Sequence, residues 1–252
     1  MTFFENMQEA QKIFIELGKS FSIGFVPTMG ALHAGHLSLV EKAKTENDKV
    51  VVSIFLNPTQ FNNEEDLKKY PTHLEKDLGL LSEVGVDFVL LPSFENIYPE
   101  NYGYRVHEDK NSKILCGKER PGHFDGVLTI VLKLLMISQA HRAYFGEKDY
   151  QQLKLIQGLC RAFFIPTEII PCPIARDEKG LALSSRNQRL SPQGIESARK
   201  FAKLLAQSKP LNEIMQDLKN ENIQVEYLQE EWHRRFGAVH VENVRLIDNV
   251  PI

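Results

Sequence analysis

His33 and His36 lie three positions apart at the end of the run Pro27-Thr28-Met29-Gly30-Ala31-Leu32-His33-Ala34-Gly35-His36. An apolar stretch leads into this run and a helical pattern leads out, so both imidazoles fall at the first turn of a helix. That turn carries unpaired backbone N–H groups and the positive end of the helix dipole, which attract phosphate. Gly30, Ala31, Ala34 and Gly35 are small enough to let a ligand approach the main chain. Imidazole also ligates metals, but no acid or cysteine stands at ligand spacing nearby, and anion binding is favoured over metal. Two later stretches suit the same task. Lys148, in Gly146-Glu147-Lys148-Asp149, opposes the dipole at a helix start, where Asp149 is favourable. At the carboxyl end of a parallel strand it would face the crevice shared with the histidines. Ser184-Ser185-Arg186 sits among Arg176, Lys179 and Arg189 in a stretch of little apolar content. Each stretch alone equally fits an ordinary loop or helix start, and Asn57-Pro58-Thr59-Gln60-Phe61 reads as a surface turn. Their combination in one chain points to a phosphate ligand.

Positioning these residues takes alternating strands and helices. Phe3, Met7, Ala10, Phe14 and Leu17 recur at helical spacing, closed by Gly18. Strands are expected over 22–26, 50–56, 86–91, 142–145 and 167–174. The second is β-branched and nearly continuous in hydrophobicity, as fits a parallel strand covered on both faces. Helices follow His36, start at Thr72 with Glu75 as a capping box, cover 126–137 with Asp125 as cap, and run through Gln151, Leu153, Ile156 and Leu159. This alternation predicts an α/β fold, a parallel sheet with helices on both faces. Ser191 and Pro192 then suit the N-cap and first turn of a new helix. Charged amphipathic helices are expected over 192–207 and 211–221, 225–236 remains ambiguous, and 239–247 reads as a final strand. The shift near residue 176 divides the chain into domains 1–175 and 176–252.

The 252 residues, 42% apolar and 25% charged, are long enough to bury a substantial core. A net charge of −3 and a pI near 6.3 give no drive toward nucleic acid or an anionic membrane, so phosphate must be held by a local cluster of donors. Cys116, Cys160 and Cys172 form no CxxC pair and lack zinc-site spacing, which argues against a metal cage or a disulfide framework. No apolar run has membrane-spanning length, and the first residues do not read as a signal peptide, so the expected location is cytoplasmic.

The runs FVPTMGALHAGH, FLNPTQF, RPGHF, FGEKDYQQL and SSRN, in this order, closely resemble the pantothenate synthetase (pantoate–β-alanine ligase) family of H-x-G-H nucleotidyltransferases. The resemblance spans residues 22–190 and returns at Arg245-Leu246-Ile247-Asp248-Asn249. It implies a Rossmann-like domain with a smaller C-terminal α+β lid. The implied reaction is ATP-dependent condensation of (R)-pantoate with β-alanine to pantothenate, AMP and diphosphate through a pantoyl adenylate. The resemblance casts His33, His36, Lys148 and Arg186 as catalytic. It adds Met29, Gly30, Gly146, Glu147, Asp149, Ala175, Leu183, Ser184 and Ser185 to these four as the ATP-binding set. Gln60 and Gln152 would bind pantoate, with Gln60 also near β-alanine. Mg²⁺ is expected with the pyrophosphate rather than in a protein cage, and a second copy of the chain as partner in a homodimer. Leu183 stands where the family often has methionine, Cys116 where many members have glutamate and so receives no role, and the 227–245 segment is shorter than usual. Two other readings stay open. Another nucleotidyltransferase of the superfamily leaves Gln60 and the Gln151-Gln152 pair unexplained; a non-catalytic nucleotide binder leaves His33, His36, Lys148 and Arg186 unexplained.

Overall fold

The computed structural model describes all 252 residues. Their contacts divide the chain into two units, Met1–Glu147 with Gln151–Cys172, and Lys148–Tyr150 with Pro173–Ile252. A division into contiguous ranges does not anticipate the passage of Lys148–Tyr150 into the second unit.

The first unit is built on six parallel strands: β1 (Thr2–Phe4), β2 (Ile23–Thr28), β3 (Lys49–Ile54), β4 (Phe88–Leu90), β5 (Arg142–Gly146) and β6 (Glu168–Cys172), ordered β1-β4-β3-β2-β5-β6. Val50, Val51 and Val52 of β3 are all buried, as expected of a strand with both faces covered. One side chain set from β3, Val50 and Val52, packs in a single cluster with Leu39, Val40 and Ala43 of α2 (Ala34–Glu46). Leu81, on a later helix (Leu74–Glu83), completes that cluster. Elsewhere Phe14 of α1 (Met7–Leu17) sets its ring edge-on to Phe4 and Phe88, with centroids 5.5 Å apart in each pair.

Several local expectations change. Phe3 belongs to β1, paired with Val89 of β4, rather than to the first helix. A short helix, α3 (Glu64–Lys68), precedes the Leu74–Glu83 helix, α4, whose N-cap is His73 with no side-chain hydrogen bond. The capping box at Thr72 and Glu75 therefore does not form. Short helices α5 (Phe94–Ile97) and α6 (Leu115–Glu119) lead to the apolar α7 (His123–Ser138), which starts after Gly122 at φ 79°. Asp125 lies inside the first turn of α7, and its Oδ1 is 2.9 Å from His107 Nδ1 instead of capping the helix. Helix α8 (Tyr150–Ala162) connects β5 to β6.

The second unit packs α9 (Pro192–Leu205) and α10 (Leu211–Asn220) on a three-stranded antiparallel sheet of β7 (Gln224–Glu231), β8 (Arg234–Val241) and β9 (Val244–Pro251). Phe201, Leu205, Ile214, Leu218, Val239 and Leu246 form its core. Ser191 caps α9 by accepting from Gly194 N at 3.1 Å, with Pro192 in the first turn. The ambiguous 225–236 is strand on both sides of a turn, and the single strand expected over 239–247 is split by another. Each turn has two residues at positive φ, Trp232 (48°) with His233 (56°), and Glu242 (50°) with Asn243 (64°). Tight hairpins usually signal themselves with Asn-Gly or Asp-Gly, and neither turn contains glycine.

Leu81 is fully buried between α4 and the sheet. Leu81→Ala is expected to lower stability by about 2–5 kcal/mol, measured as a fall in the urea midpoint at unchanged m-value.

Candidate active site

β2 ends at Thr28 and the chain turns through Gly30 (φ 82°) and Ala31 (φ 50°) before α2 begins. A left-handed alanine is unfavourable by about 1–2 kcal/mol, and a buried carboxylate offsets it. Asp77 of α4, 1% exposed, accepts from Ala31 N and Leu32 N, both at 2.8 Å. Gly30 N is 3.3 Å from Thr28 Oγ1, whose hydroxyl donates to Ser53 O at 2.7 Å. A Cβ on Gly30 would stand 3.1 Å from Asp77 Oδ2, so glycine fits the close approach as well as the dihedral.

His33 is the N-cap of α2, and its Nδ1 accepts from Gly35 N at 3.1 Å. His36 Nδ1 accepts from His33 N at 3.3 Å, and the two rings lie 4.1 Å apart between centroids. This is a reciprocal cap made from imidazoles in place of the usual hydroxyl and carboxylate. With both Nδ1 atoms accepting, each neutral ring carries its proton on Nε2. The helix start therefore bears two imidazole N–H donors, while its backbone donors at Gly30, Ala31, Leu32, His33 and Gly35 are committed within the fold. The small residues of the turn thus serve its tight internal hydrogen bonding.

Gln60 ends a 3-10 turn, Pro58–Gln60, that follows β3. Its Nε2 lies 3.0 Å from Met29 Sδ, which brings the Asn57–Phe61 loop to the histidine turn. Asn57, 1% exposed, donates to Gln60 Oε1 at 3.2 Å and to Gly126 O at 3.3 Å. It accepts from Thr59 Oγ1 and Tyr98 Oη, each at 3.0 Å. Burial pushes the Tyr98 phenol up to about 12, so it remains a donor at neutral pH. Behind the loop, Gln60 O accepts from Arg120 Nη2 at 3.2 Å and from His123 Nδ1 at 2.8 Å. The Asn57–Phe61 segment is a braced element rather than a surface turn.

The adjacent glutamines of α8 separate by environment. Gln151, 5% exposed, spends its amide on Asn111 O (2.8 Å), Ile114 O (2.7 Å) and Cys116 N (3.0 Å). Gln152 is half-buried and has no protein partner. Met29 and Glu147 are half-buried on the first unit and Gly146 closes β5. Cys116, Cys160 and Cys172 are free and buried, burial pushing the Cys172 thiol up to about 11.

In the second unit, residues 175–183 form a narrow hairpin. Leu183 N donates to Ala175 O and Asp177 N to Leu181 O, at 2.9 and 2.8 Å. Asp177 closes the turn by accepting from Lys179 N and Leu181 N, and Arg199 donates to its other oxygen. Burial works against the Asp177 carboxylate, yet these donors hold it below the usual carboxylate range. Ser184 caps the short turn Ser185–Arg189 by accepting from Arg186 N at 3.3 Å, and Ser185 is buried. Lys148 is 20% exposed at its side chain, with Nζ 3.9 Å from Asp149 Oδ2. Its carbonyl accepts from Asn249 Nδ2 at 3.0 Å.

Gln60 thus meets Met29 beside the turn in which His33 and His36 contact each other, and Lys148 meets Asn249 of the C-terminal strand. Asp77, Asn57, Arg120, His123 and Asn249 escape sequence reasoning, because each acts through backbone contacts with residues distant in sequence. The hints are the FLNPTQF run for Asn57, the RPGHF run for Arg120 and His123, and the closing RLIDN run for Asn249.

The family model described as Pantoate-beta-alanine ligase matches residues 2–251. A pantothenate synthetase from Legionella pneumophila is 49% identical over 249 residues, covering 99% of this chain and 99% of the relative. One from Coxiella burnetii is 51% identical over 232 residues, covering 91% and 89%. A crystal structure of pantoate–β-alanine ligase from Francisella tularensis, complexed with β-γ ATP and β-alanine, superposes with a TM-score of 0.95 at 46% identity, covering 100% of this chain and 97% of that one. No helix is long and apolar enough to cross a membrane.

Removing the Asp77 carboxylate orphans two buried N–H groups at a cost of about 1–3 kcal/mol each. Asp77→Ala is expected to release the left-handed turn, read as faster amide hydrogen exchange at Ala31 and Leu32. Unchanged protection at both amides would show that the turn is held by something else.

Proposed function

The chain belongs to the pantoate–β-alanine ligase family, and from that premise we propose how its residues divide the work of joining pantoate to β-alanine. The reaction consumes ATP: a carboxylate oxygen of pantoate bonds to the α-phosphorus, the bond to the β-phosphate oxygen breaks, and diphosphate leaves. The β-alanine amine then attacks the acyl carbon of the pantoyl adenylate, loses a proton and expels AMP.

The observation that carries the assignment of roles is the direction of the histidine hydrogen bonds. Since Nδ1 of His33 and of His36 accepts from the backbone, we assign the Nε2–H groups to phosphate oxygens. Negative charge grows on the equatorial and leaving oxygens during attack, so fixed donors stabilise the transition state more than the ground state. Lys148 and Arg186 are assigned cationic charge for phosphate oxygens, and Ser184 and Ser185 hydroxyls. Gly146, Glu147 and Asp149 serve the ribose, and Met29 and Gly30 the nucleotide beside the histidines. Ala175 and Leu183, joined by the Leu183 N–H to Ala175 O hydrogen bond, offer backbone to the adenine.

Gln152 has an uncommitted amide and Gln60 a braced one, which supports them as the pantoate ligands, with Gln60 also near β-alanine. Neutral amides recognise hydroxyl and carboxylate groups without adding charge. The second step needs mainly alignment and exclusion of water from the mixed anhydride. No group of three or more His, Cys, Asp or Glu side chains forms a metal cage. Mg²⁺ is expected to enter as part of the nucleotide substrate, through phosphate oxygens and water. Three free thiols suit a reducing cytoplasm, and the family resemblance supports a homodimer.

ATP–diphosphate exchange tests this reading: exchange is expected with pantoate, whereas exchange driven only by another acid would move the substrate. Lys148→Ala is expected to slow pantoate-dependent exchange by about 10²–10³-fold in a folded protein; near-normal exchange would remove Lys148 from the chemistry. Gln152→Ala is expected to raise the KM for pantoate about tenfold or more, and an unchanged pantoate dependence would exclude Gln152 from the pocket.

A further inference from the structure

Asn249 is 1% exposed in the last strand, and its polar groups are engaged on several sides. Its Nδ2 donates to the Lys148 carbonyl at 3.0 Å, its Oδ1 accepts from Arg234 Nε at 2.6 Å, and its backbone N donates to Asp248 Oδ1 at 2.8 Å. Arg234 also lies over the Tyr150 ring, 4.5 Å from its centroid. Phe236, the register partner of Asn249 on β8, puts its ring 6.1 Å from that of Tyr150, and Trp232 lies 6.4 Å away. Asp248, 3% exposed, is anchored by Arg176 through 2.6 and 2.9 Å hydrogen bonds. One face of the β7–β8–β9 sheet thus grips Lys148–Tyr150 at both ends, by a hydrogen bond at the first residue and by ring contacts at the last.

A side-chain amide that is nearly inaccessible and donates to a carbonyl fixes the peptide plane that carries it. Once that plane is set, the lysine Cα is set, and only side-chain rotamers remain to place Nζ. Sub-ångström misplacement of a charge aimed at a transferring phosphoryl group is costly in rate. We propose that Asn249 is a positioning residue for Lys148: it fixes the backbone from which the lysine reaches the substrate, and it touches no substrate itself. This inference rests on the role given above to Lys148.

Asn249→Asp tests it, because the carboxylate keeps the shape and can still accept from Arg234 but cannot donate to the Lys148 carbonyl. The readout is pantoate-dependent ATP–diphosphate exchange in a double-mutant cycle with Lys148→Ala. Asn249→Asp is expected to lower kcat for exchange on the order of tenfold to a hundredfold while leaving the KM for pantoate in place. In the Lys148→Ala background the same substitution is expected to have little further effect. An equal loss in both backgrounds would overturn the proposal, since Asn249 would then act on the protein generally. Full exchange by Asn249→Asp beside a disabled Lys148→Ala would overturn it too, leaving the role of Lys148 intact. Full exchange by Lys148→Ala would overturn both, and so locate the failure in the earlier assignment. If Asn249→Asp does not fold, Asn249→Ser, smaller and uncharged, takes its place in the cycle.

Discussion

The two hydrogen bonds that Asp77 accepts from Ala31 and Leu32 hold the turn that positions the paired histidines. A buried carboxylate is unfavourable unless its charge is spent, and here it is spent on two backbone donors. The same bonds hold Ala31 left-handed and deliver the chain to His33 in an extended conformation suited to an N-cap. From there the imidazoles close the remaining donors, one ring on Gly35 and the other on His33. Many phosphate sites use the bare N–H groups of a helix start. In this turn those groups are largely consumed by the fold's own acceptors, Asp77, Thr28 and the two imidazoles.

A similar separation between holding and binding runs through the amides. Gln151 and Gln152 are chemically identical neighbours on one helix, yet one packs inward with its amide fully used on the 111–116 segment and the other is left uncommitted. Gln60 is intermediate. Its main chain is fixed from behind by Arg120 and His123, and its side chain is oriented by Asn57. Gly126 makes this possible, because a Cβ there would lie 2.5 Å from Thr59 O and force the loop away. Gln60 is therefore held in place by the polar side chains of Asn57, Arg120 and His123.

The parts of the structure visible in the sequence are those whose signal is local. Valine runs and strand–helix alternation mark the central strands, and small residues around two histidines mark the turn. Ser191-Pro192 marks α9 because capping chemistry acts within three residues. What escaped notice depends on distance or on the absence of an expected residue. Phe3 satisfies helical spacing, but pairing with β4 brings it into a strand. Thr72 and Glu75 have the spacing of a cap, but the helix begins two residues after Thr72. The two hairpins of the second unit carry no glycine, so a turn-residue search reads across them. The bracing residues are legible only as fragments of longer motifs, since a contact such as Asn57 to Gly126 spans 69 positions.

Sequence distance also separates the two halves of the chemistry in the order they can be built. The Leu32 to Asp77 bond closes over 45 residues, from the turn before α2 to α4. The Lys148 carbonyl waits for Asn249, 101 residues further along, after both hairpins of the last sheet have paired. Longer closures are entropically costlier and slower to form, so the histidine turn can be organised while the lysine loop is still without its anchor. The local sequence Gly146-Glu147-Lys148-Asp149 offers that loop little of its own, because a lysine opposes the dipole at a helix start. A charge placed against local preference needs an external support, and the buried amide of Asn249 supplies it.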